Sequence, residues 1–152
     1  MSSLTIAPST VLKRIPSSAV SEDLRNLYEM IWLQRPKNII NFAKQPKYGR
    51  TITSLHLCPV GFHPHLRSIL ELKRHAVQGI LKGLDWQHHY DYVHRDLRWS
   101  NVIQDIERNI RLIDVEYAGK EGEVEDDDIL LYWPTMEGGM YLKVLIFTPW
   151  PR

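Results

Sequence analysis

Hydrophobic and polar positions along the first part of the chain predict a strand followed by an amphipathic helix. Residues 10–15 are rich in β-branched side chains and lie between Pro8 and Pro16, which is typical of a short strand. Ser21 then precedes two acidic residues, and apolar side chains recur at three- and four-residue steps beyond them. A serine cap and acidic first turn favour a helix that begins here, and Pro36 is expected to end it.

The next segment predicts two antiparallel strands and a linker. Residues 38–43 form a short apolar run, residues 48–50 a turn, and residues 51–57 a second run rich in β-formers. Pro59 and Pro64 flank a segment that is interpreted either as a plain loop or as a hinge between two lobes.

The longest helical pattern covers residues 66–90, and it leaves open whether this is one helix or two helices broken near residues 71–74. Residues 92–93 then predict a brief strand. Residues 102–103 and 110–113 flank a polar turn and predict a hairpin. Residues 121–128 are acidic and expected to be solvated, and residues 141–147 fit either a strand or a short helix.

Composition narrows the class of protein without defining its chemistry. An apolar share of 43% and a charged share of 24% in 152 residues are ordinary for one soluble domain. A net charge of +1 gives no reason to expect a nucleic acid or a membrane surface as partner, and the sequence leaves the oligomeric state open. The single cysteine, Cys58, excludes an intramolecular disulfide, and neither a secretory signal nor a membrane-spanning run is evident. We therefore expect a soluble, cytoplasmic protein.

Three polar residues around the predicted hairpin suggest phosphoryl-transfer chemistry. Asp96 lies in a polar loop, Asn101 follows it, and Asp114 comes directly after the second strand of the hairpin. The hairpin is expected to bring the loop and Asp114 to the same end of a small sheet. Phosphoryl transfer requires a carboxylate that orients the attacking hydroxyl and oxygen ligands for magnesium.

The segment YDYVHRDLRWSNVI…RLIDVEYAG resembles the catalytic loop and metal-binding segment of the protein kinase family, whose pattern is H-R-D-L-x-x-x-N followed by D-F-G. The helical pattern before it resembles the long helix that leads into that loop. The resemblance implies an α+β, protein-kinase-like two-lobe fold that is incomplete. A partial antiparallel N-lobe sheet with one helix would occupy residues 10–60 with the hinge, and a partial helical C-lobe with the catalytic-loop hairpin would occupy residues 62–120. A divergent tail, residues 121–152, would complete this single partial domain.

The resemblance also implies ATP and Mg²⁺ as cofactors and a protein or peptide substrate with a Ser or Thr hydroxyl. Asp96 would be the catalytic base, and Asn101 and Asp114 would hold magnesium. Arg98 stands where serine/threonine kinases carry a lysine, so it keeps the charge with a different geometry.

The N-terminal third extends the resemblance to the nucleotide site. Val11-Leu12-Lys13 resembles the V-A-I-K strand, which implies that Lys13 contacts the α- and β-phosphates. Glu29 would be the glutamate that pairs with this lysine, with Glu22 as a competing partner. The expected adenine contacts are the hinge residues Leu57, Pro59 and Val60.

Several departures from the family pattern leave the function open. Only twelve residues precede Lys13, none of them glycine, and Glu116 stands where D-F-G has its glycine. No A-P-E motif follows. A pseudokinase that binds nucleotide or protein without catalysis is therefore one alternative. A small-molecule kinase of the choline or aminoglycoside type is another, because LIDVEYAG resembles the I-D-[FW]-E-Y segment of those enzymes. The same segment is similar to fungal kinase-like sequences with an I-D-x-[DE]-[WY]-A-G context.

Overall fold

A computed structural model describes residues 3–65 and 68–120. Within these residues the fold is mixed α+β with antiparallel sheets. The largest sheet has the spatial order β1-β2-β5-β3, and β4 also pairs with β5. Its strands are β1 (Ser3–Ile6), β2 (Val11–Pro16), β3 (Asn41–Phe42), β4 (Lys47–Tyr48) and β5 (Ile52–Cys58). The predicted strands at residues 10–15, 38–43 and 51–57 are thus confirmed in outline, whereas β1 was not predicted.

Helix α1 (Glu22–Gln34) forms as the sequence predicts. The Ser21 hydroxyl accepts a hydrogen bond from the Leu24 amide at 3.1 Å and so satisfies one free N–H of the first turn. The helix ends where Arg35 takes a left-handed conformation with φ 52°. This end lies directly before Pro36, which cannot continue the helical hydrogen bonding.

Helix α1 buries one apolar stripe against the largest sheet. Its buried side chains are Leu24, Leu27, Tyr28 and Ile31. The Tyr28 ring meets Phe42 of β3 edge-on, with ring centroids 5.5 Å apart. Burying such a side chain contributes about 1.5–3 kcal/mol, so the stripe accounts for the position of the helix on the sheet.

The second helical region resolves the question of a break near residues 71–74. It runs through α2 (Ile69–Glu71), a π-helical stretch (Leu72–Val77) and α3 (Gln78–His89), so the irregularity is a widened turn. Gly83 of α3 allows close packing, because a Cβ there would lie 2.7 Å from the Asn38 carbonyl oxygen. The helix therefore lies against the segment that follows α1.

Two small antiparallel sheets complete the described fold. The hairpin of β8 (Val102–Asp105) and β9 (Ile110–Leu112) is confirmed, and β6 (Gly61–Phe62) pairs with β8. The predicted linker at residues 59–64 therefore contributes a strand, which corrects its interpretation as a plain loop. The second small sheet pairs β7 (Tyr92–Val93) with β10 (Gly119–Lys120).

The hairpin is joined to the largest sheet through the chain between α1 and β3. The Ile40 amide donates to the Leu112 carbonyl at 2.8 Å, and the Leu112 amide donates to Asn38 at 2.9 Å. Ile39 and Leu112 are both fully buried in the same apolar core. Asp114, two residues after β9, thereby comes within reach of Lys13 in β2.

In residues 3–65 and 68–120 we find no helix that has the length and apolar character to cross a membrane. The predicted acidic segment at residues 121–128 and the apolar tail at residues 141–147 lie outside the described residues.

Candidate functional site

The candidate site is built around an ion pair between the two ends of the described chain. Lys13 Nζ lies 2.6 Å from Asp114 Oδ1. Lys13 stands in β2 opposite Leu55 of β5, and Asp114 lies two residues after the end of β9. The hydrogen bonds between β9 and the chain after α1 bring these two residues together. Sequence alone places them 101 positions apart.

Glu116 is a second carboxylate on the same lysine, and the sequence did not assign it to the site. Its Oε2 atom also lies 2.6 Å from Lys13 Nζ. A 3₁₀ turn, Val115–Tyr117, begins after Asp114 and carries Glu116 to the same side as Asp114. The sequence signal for Glu116 is an acidic residue at the position of the D-F-G glycine, which by itself indicates a departure from the family pattern and no contact with Lys13.

Burial and charge act on Lys13 in opposite directions. Its side chain is only 12% exposed. Burial by itself would lower the pKa of Lys13, but hydrogen bonds and charges from Asp114 and Glu116 outweigh it and raise the pKa above 10.5. Lys13 is therefore a cation at neutral pH and is held by two anions.

The predicted catalytic loop places Asp96 and Asn101 in direct contact. Asn101 Nδ2 donates to Asp96 Oδ2 at 2.6 Å and to the Asp96 carbonyl at 2.9 Å. Arg98 Nη2 lies 3.0 Å from the same Oδ2 atom, although the Arg98 side chain is 60% exposed. The Asp96 carboxylate is thus fixed in orientation by two neighbours from its own loop.

Hydrogen bonds attach this loop to the strand that carries Asp114. The Ile113 amide donates to the Asn101 carbonyl at 3.0 Å. The Ile113 carbonyl faces His94 Nε2 at 3.1 Å and can only accept, so Nε2 carries the proton. Burial lowers the pKa of His94, against opposing effects of the Ile113 carbonyl and nearby acids. A neutral, buried His94 therefore links the loop to the residue before Asp114.

Two non-glycine residues of the site adopt left-handed backbone conformations. Arg95 has φ 61° and Asp114 has φ 58°. Residues outside glycine take this region rarely, and such conformations cluster at functional sites. At Arg95 the conformation is accompanied by a hydrogen bond from Nη2 to the Lys120 carbonyl at 2.9 Å.

Other predicted nucleotide contacts occupy different surroundings. Glu29 hydrogen-bonds to Tyr48 of β4, and burial together with this carboxylate raises the pKa of Tyr48. The contacts of Lys13 described above are instead with Asp114 and Glu116. The expected adenine contacts lie in β5 and the turn that leads to β6, and all are partly exposed: Leu57, Pro59 and Val60.

Behind the Lys13 ion pairs lies a cavity of only about 10 Å³. Its walls combine Lys13, Asp114 and Glu116 with apolar side chains that include Tyr28 and Leu57. Pockets for drug-sized ligands measure about 300–1,000 Å³, so this space suits a single water and not a nucleotide. A nucleotide that reaches Lys13 must therefore lie outside the cavity and displace a carboxylate from the ammonium group.

Asp114 and Asn101 carry oxygen donors of the kind that bind magnesium. Asp114 offers a carboxylate and Asn101 an amide, which are oxygen donors of the type that magnesium takes beside water and phosphate. In the described part of the chain, no group of three or more His, Cys, Asp or Glu side chains is arranged to hold a metal ion. The protein contribution would therefore be small, and phosphate oxygens and water would complete the coordination.

Comparison with known proteins adds no assignment: no family model and no curated protein matches this chain.

Proposed function

We propose that this chain is an ATP- and Mg²⁺-dependent phosphotransferase of the protein kinase type that acts on a protein Ser or Thr hydroxyl. In this proposal the described residues are an incomplete two-lobe kinase-like fold. The observation that carries it is the 2.6 Å contact between Lys13 and Asp114, which unites the strand lysine with the end of the hairpin. These are the two residues that the resemblance to protein kinases assigns to phosphate and metal.

Each residue has a distinct role in this proposal. Lys13 exchanges its carboxylate partners for phosphate oxygens of the nucleotide, where its positive charge balances theirs. Asp96 orients the acceptor hydroxyl and accepts its proton, and Asn101 and Arg98 hold the Asp96 carboxylate in place. Asn101 and Asp114 would hold magnesium, which when bound supplies positive charge to the phosphates.

A pseudokinase that binds nucleotide without transfer is the second candidate, and Glu116 is the observation that favours it. A lysine with two carboxylate partners is already neutralised, and the cavity behind it holds no more than about one water. Nucleotide must then compete with both carboxylates. Measurement of turnover beside binding separates the two candidates.

The test is transfer of labelled γ-phosphate from ATP by the purified full chain, with Mg²⁺. The acceptors are a panel of Ser/Thr peptides and, for the small-molecule alternative, amino alcohols and aminoglycosides. Asp96→Asn is expected to lower the rate by about 10²–10⁴-fold because it removes the base. Asp85→Asn, at an exposed position of α3, is the matched control and should leave the rate unchanged. Equal rates for wild type and Asp96→Asn would refute transfer at this site, and binding without turnover would support the pseudokinase.

A further inference from the structure

A cavity of about 180 Å³, separate from the Lys13 site, lies between the helical region, the β8–β9 turn and the segment after α1. Among the described residues that line it, none is acidic. We call it the basic cavity after its basic side chains, which are Lys37, Arg74, His75, Lys82 and Arg108. The whole chain has 19 Lys and Arg against 18 Asp and Glu, so four of these cations around one cavity are a strong local excess.

The floor of the basic cavity is fixed by close packing. A Cβ at Gly79 would lie 2.5 Å from the Ile110 Cβ, so the glycine is what lets the helix approach the hairpin this closely. Asn38 Nδ2 donates to the Ile110 carbonyl at 2.8 Å, so the segment after α1, which forms the third wall, is also held to Ile110. The three walls therefore meet at one point, and the concave shape is part of the core packing.

The β8–β9 turn presents Arg108 at the edge of the cavity. Arg108 has φ 65° and its amide donates to the Asp105 carbonyl at 2.9 Å. Asp105 Oδ1 also accepts from the Asn109 amide at 2.8 Å. Arg108 Nη2 lies 2.7 Å from Glu71 Oε1 of α2, and this contact ties the guanidinium to the helical region. Since a guanidinium has five N–H donors, one carboxylate does not exhaust its capacity to bind anions.

The helical wall carries its cations on an irregular segment. Arg74 and His75 belong to the π-helical stretch, and Lys82 follows in α3. Such π-helical turns are rare and occur frequently at functional sites. Arg74 and Lys82 are both exposed, so an anion can reach them from solvent.

We propose that the basic cavity binds a phosphomonoester group, carried either by a phosphorylated peptide or by a small phosphorylated metabolite. Arginine and lysine together match the doubly charged phosphate, and the side-chain amide of Gln78 adds a neutral donor to the lining. The volume is below the range of about 300–1,000 Å³ for drug-sized ligands, which suits a phosphate with few attached atoms.

The experiment measures binding to the full chain at about 0.15 M salt, where long-range attraction between exposed charges is screened. The probes are a labelled Gly/Ser peptide with one phosphothreonine, its unphosphorylated twin, glucose 6-phosphate and inorganic phosphate. Arg74→Gln/Lys82→Gln is expected to weaken binding of the phosphorylated probe at least about tenfold, because each cation supplies a charged hydrogen bond. The control, Lys47→Gln/Arg50→Gln, removes the same charge from exposed positions on and beside β4, outside the basic cavity. It should change binding less than about twofold.

The outcomes decide the proposal and the carrier. Saturable binding that requires the phosphate and is lost only in the cavity variant supports the site, and the tighter of the peptide and the sugar phosphate identifies the carrier. No saturable binding, equal binding of the unphosphorylated peptide, or equal loss in both double variants overturns it. A Lys13→Met variant keeps the result independent of the proposed function: binding that this variant abolishes and the cavity variant retains belongs to the Lys13 site and also overturns the proposal.

Discussion

Replacement of Lys13 by methionine tests the ion pairs that define the candidate site. Methionine keeps the length and apolar stem of the side chain but removes the charge. The substitution leaves Asp114 and Glu116 close together without their shared cation, and their side chains are 32% and 22% exposed. Both carboxylates then lack a partner and repel each other.

The expected loss in the free energy of unfolding follows from the two hydrogen bonds that Lys13 donates and from the burial of its side chain. A hydrogen bond to a charged group contributes about 1.5–3 kcal/mol. Two such bonds share one ammonium group, and burial of Lys13 costs part of what they contribute, so we expect the net loss to be about 2–3 kcal/mol. For a chain of this size, that loss corresponds to a fall in melting temperature of roughly 4–12 °C.

Urea denaturation of Lys13→Met measures this loss, with Lys47→Met as the control for an exposed lysine in the same sheet. Lys47→Met should change the free energy of unfolding by no more than about 0.5 kcal/mol. Glu116→Gln in the Lys13→Met background should recover about 1 kcal/mol of the free energy of unfolding, since it removes the repulsion between the two carboxylates.

The stabilisation by Lys13 also depends on pH. Because the folded pKa of Lys13 is raised, its contribution to the free energy of unfolding is complete below pH 10.5 and is lost as the pH rises through the folded pKa. A Lys13→Met loss no larger than that of Lys47→Met at neutral pH would refute the ion pairs.

Three further substitutions test the scaffold of the site in urea denaturation. Asp105→Ala should lower the free energy of unfolding by about 3–5 kcal/mol, because it leaves the guanidinium of Arg111, whose side chain is 11% exposed, without its 2.8 Å partner. The folded pKa of His94 is lowered, so below pH 6.5 the unfolded chain takes up this proton more readily and the free energy of unfolding falls by up to about 1.4 kcal/mol per pH unit. His94→Gln should make this fall with decreasing pH smaller. Gly83→Ala should destabilise by about 1–2 kcal/mol despite the better helix propensity of alanine, because its Cβ would lie 2.7 Å from the Asn38 carbonyl oxygen.

Exposed neighbours provide the controls for these substitutions. Glu107→Ala in the same turn, His89→Gln at the end of α3 and Lys82→Ala beside Gly83 should each have effects within about 0.5 kcal/mol. A test substitution that behaves like its control would contradict the contact assigned to that residue.

The elements that could be predicted from sequence are those with local causes. Helix α1 follows from the Ser21 cap and the apolar stripe, and the β8–β9 hairpin follows from two apolar runs around a polar turn. Strand β6 has only two residues and forms through its pairing with the distant β8, so no local pattern indicates it. The irregularity near residues 71–74 was visible in sequence, and in the structure it takes a π-helical form over Leu72–Val77.

In the candidate site, too, the residues that could be predicted are those whose contacts are local in sequence. Asp96 and Asn101 are close in sequence, and a recognisable loop pattern pointed to both. The contact of Glu116 with Lys13 depends on how the hairpin docks on β2, and the sequence carries no pairing rule for it. The predicted pairing of Glu29 with Lys13 rested on the position of Glu29 in the resemblance to protein kinases, whereas in the structure Glu29 hydrogen-bonds to Tyr48. The roles of these residues in nucleotide binding and transfer stay predictions.

Calorimetric titration of the full chain with ATP, with and without Mg²⁺, tests the central claim most directly. Catalytic transfer and catalysis-free nucleotide binding both require Mg-ATP to bind where Lys13 and Asp114 meet. We predict saturable, Mg²⁺-dependent binding that Lys13→Met and Asp114→Asn each weaken at least about tenfold, because each removes a charged contact. The Lys47→Met control should bind as the wild type does. Absence of ATP binding in the folded protein, or binding that neither substitution changes, would contradict the account.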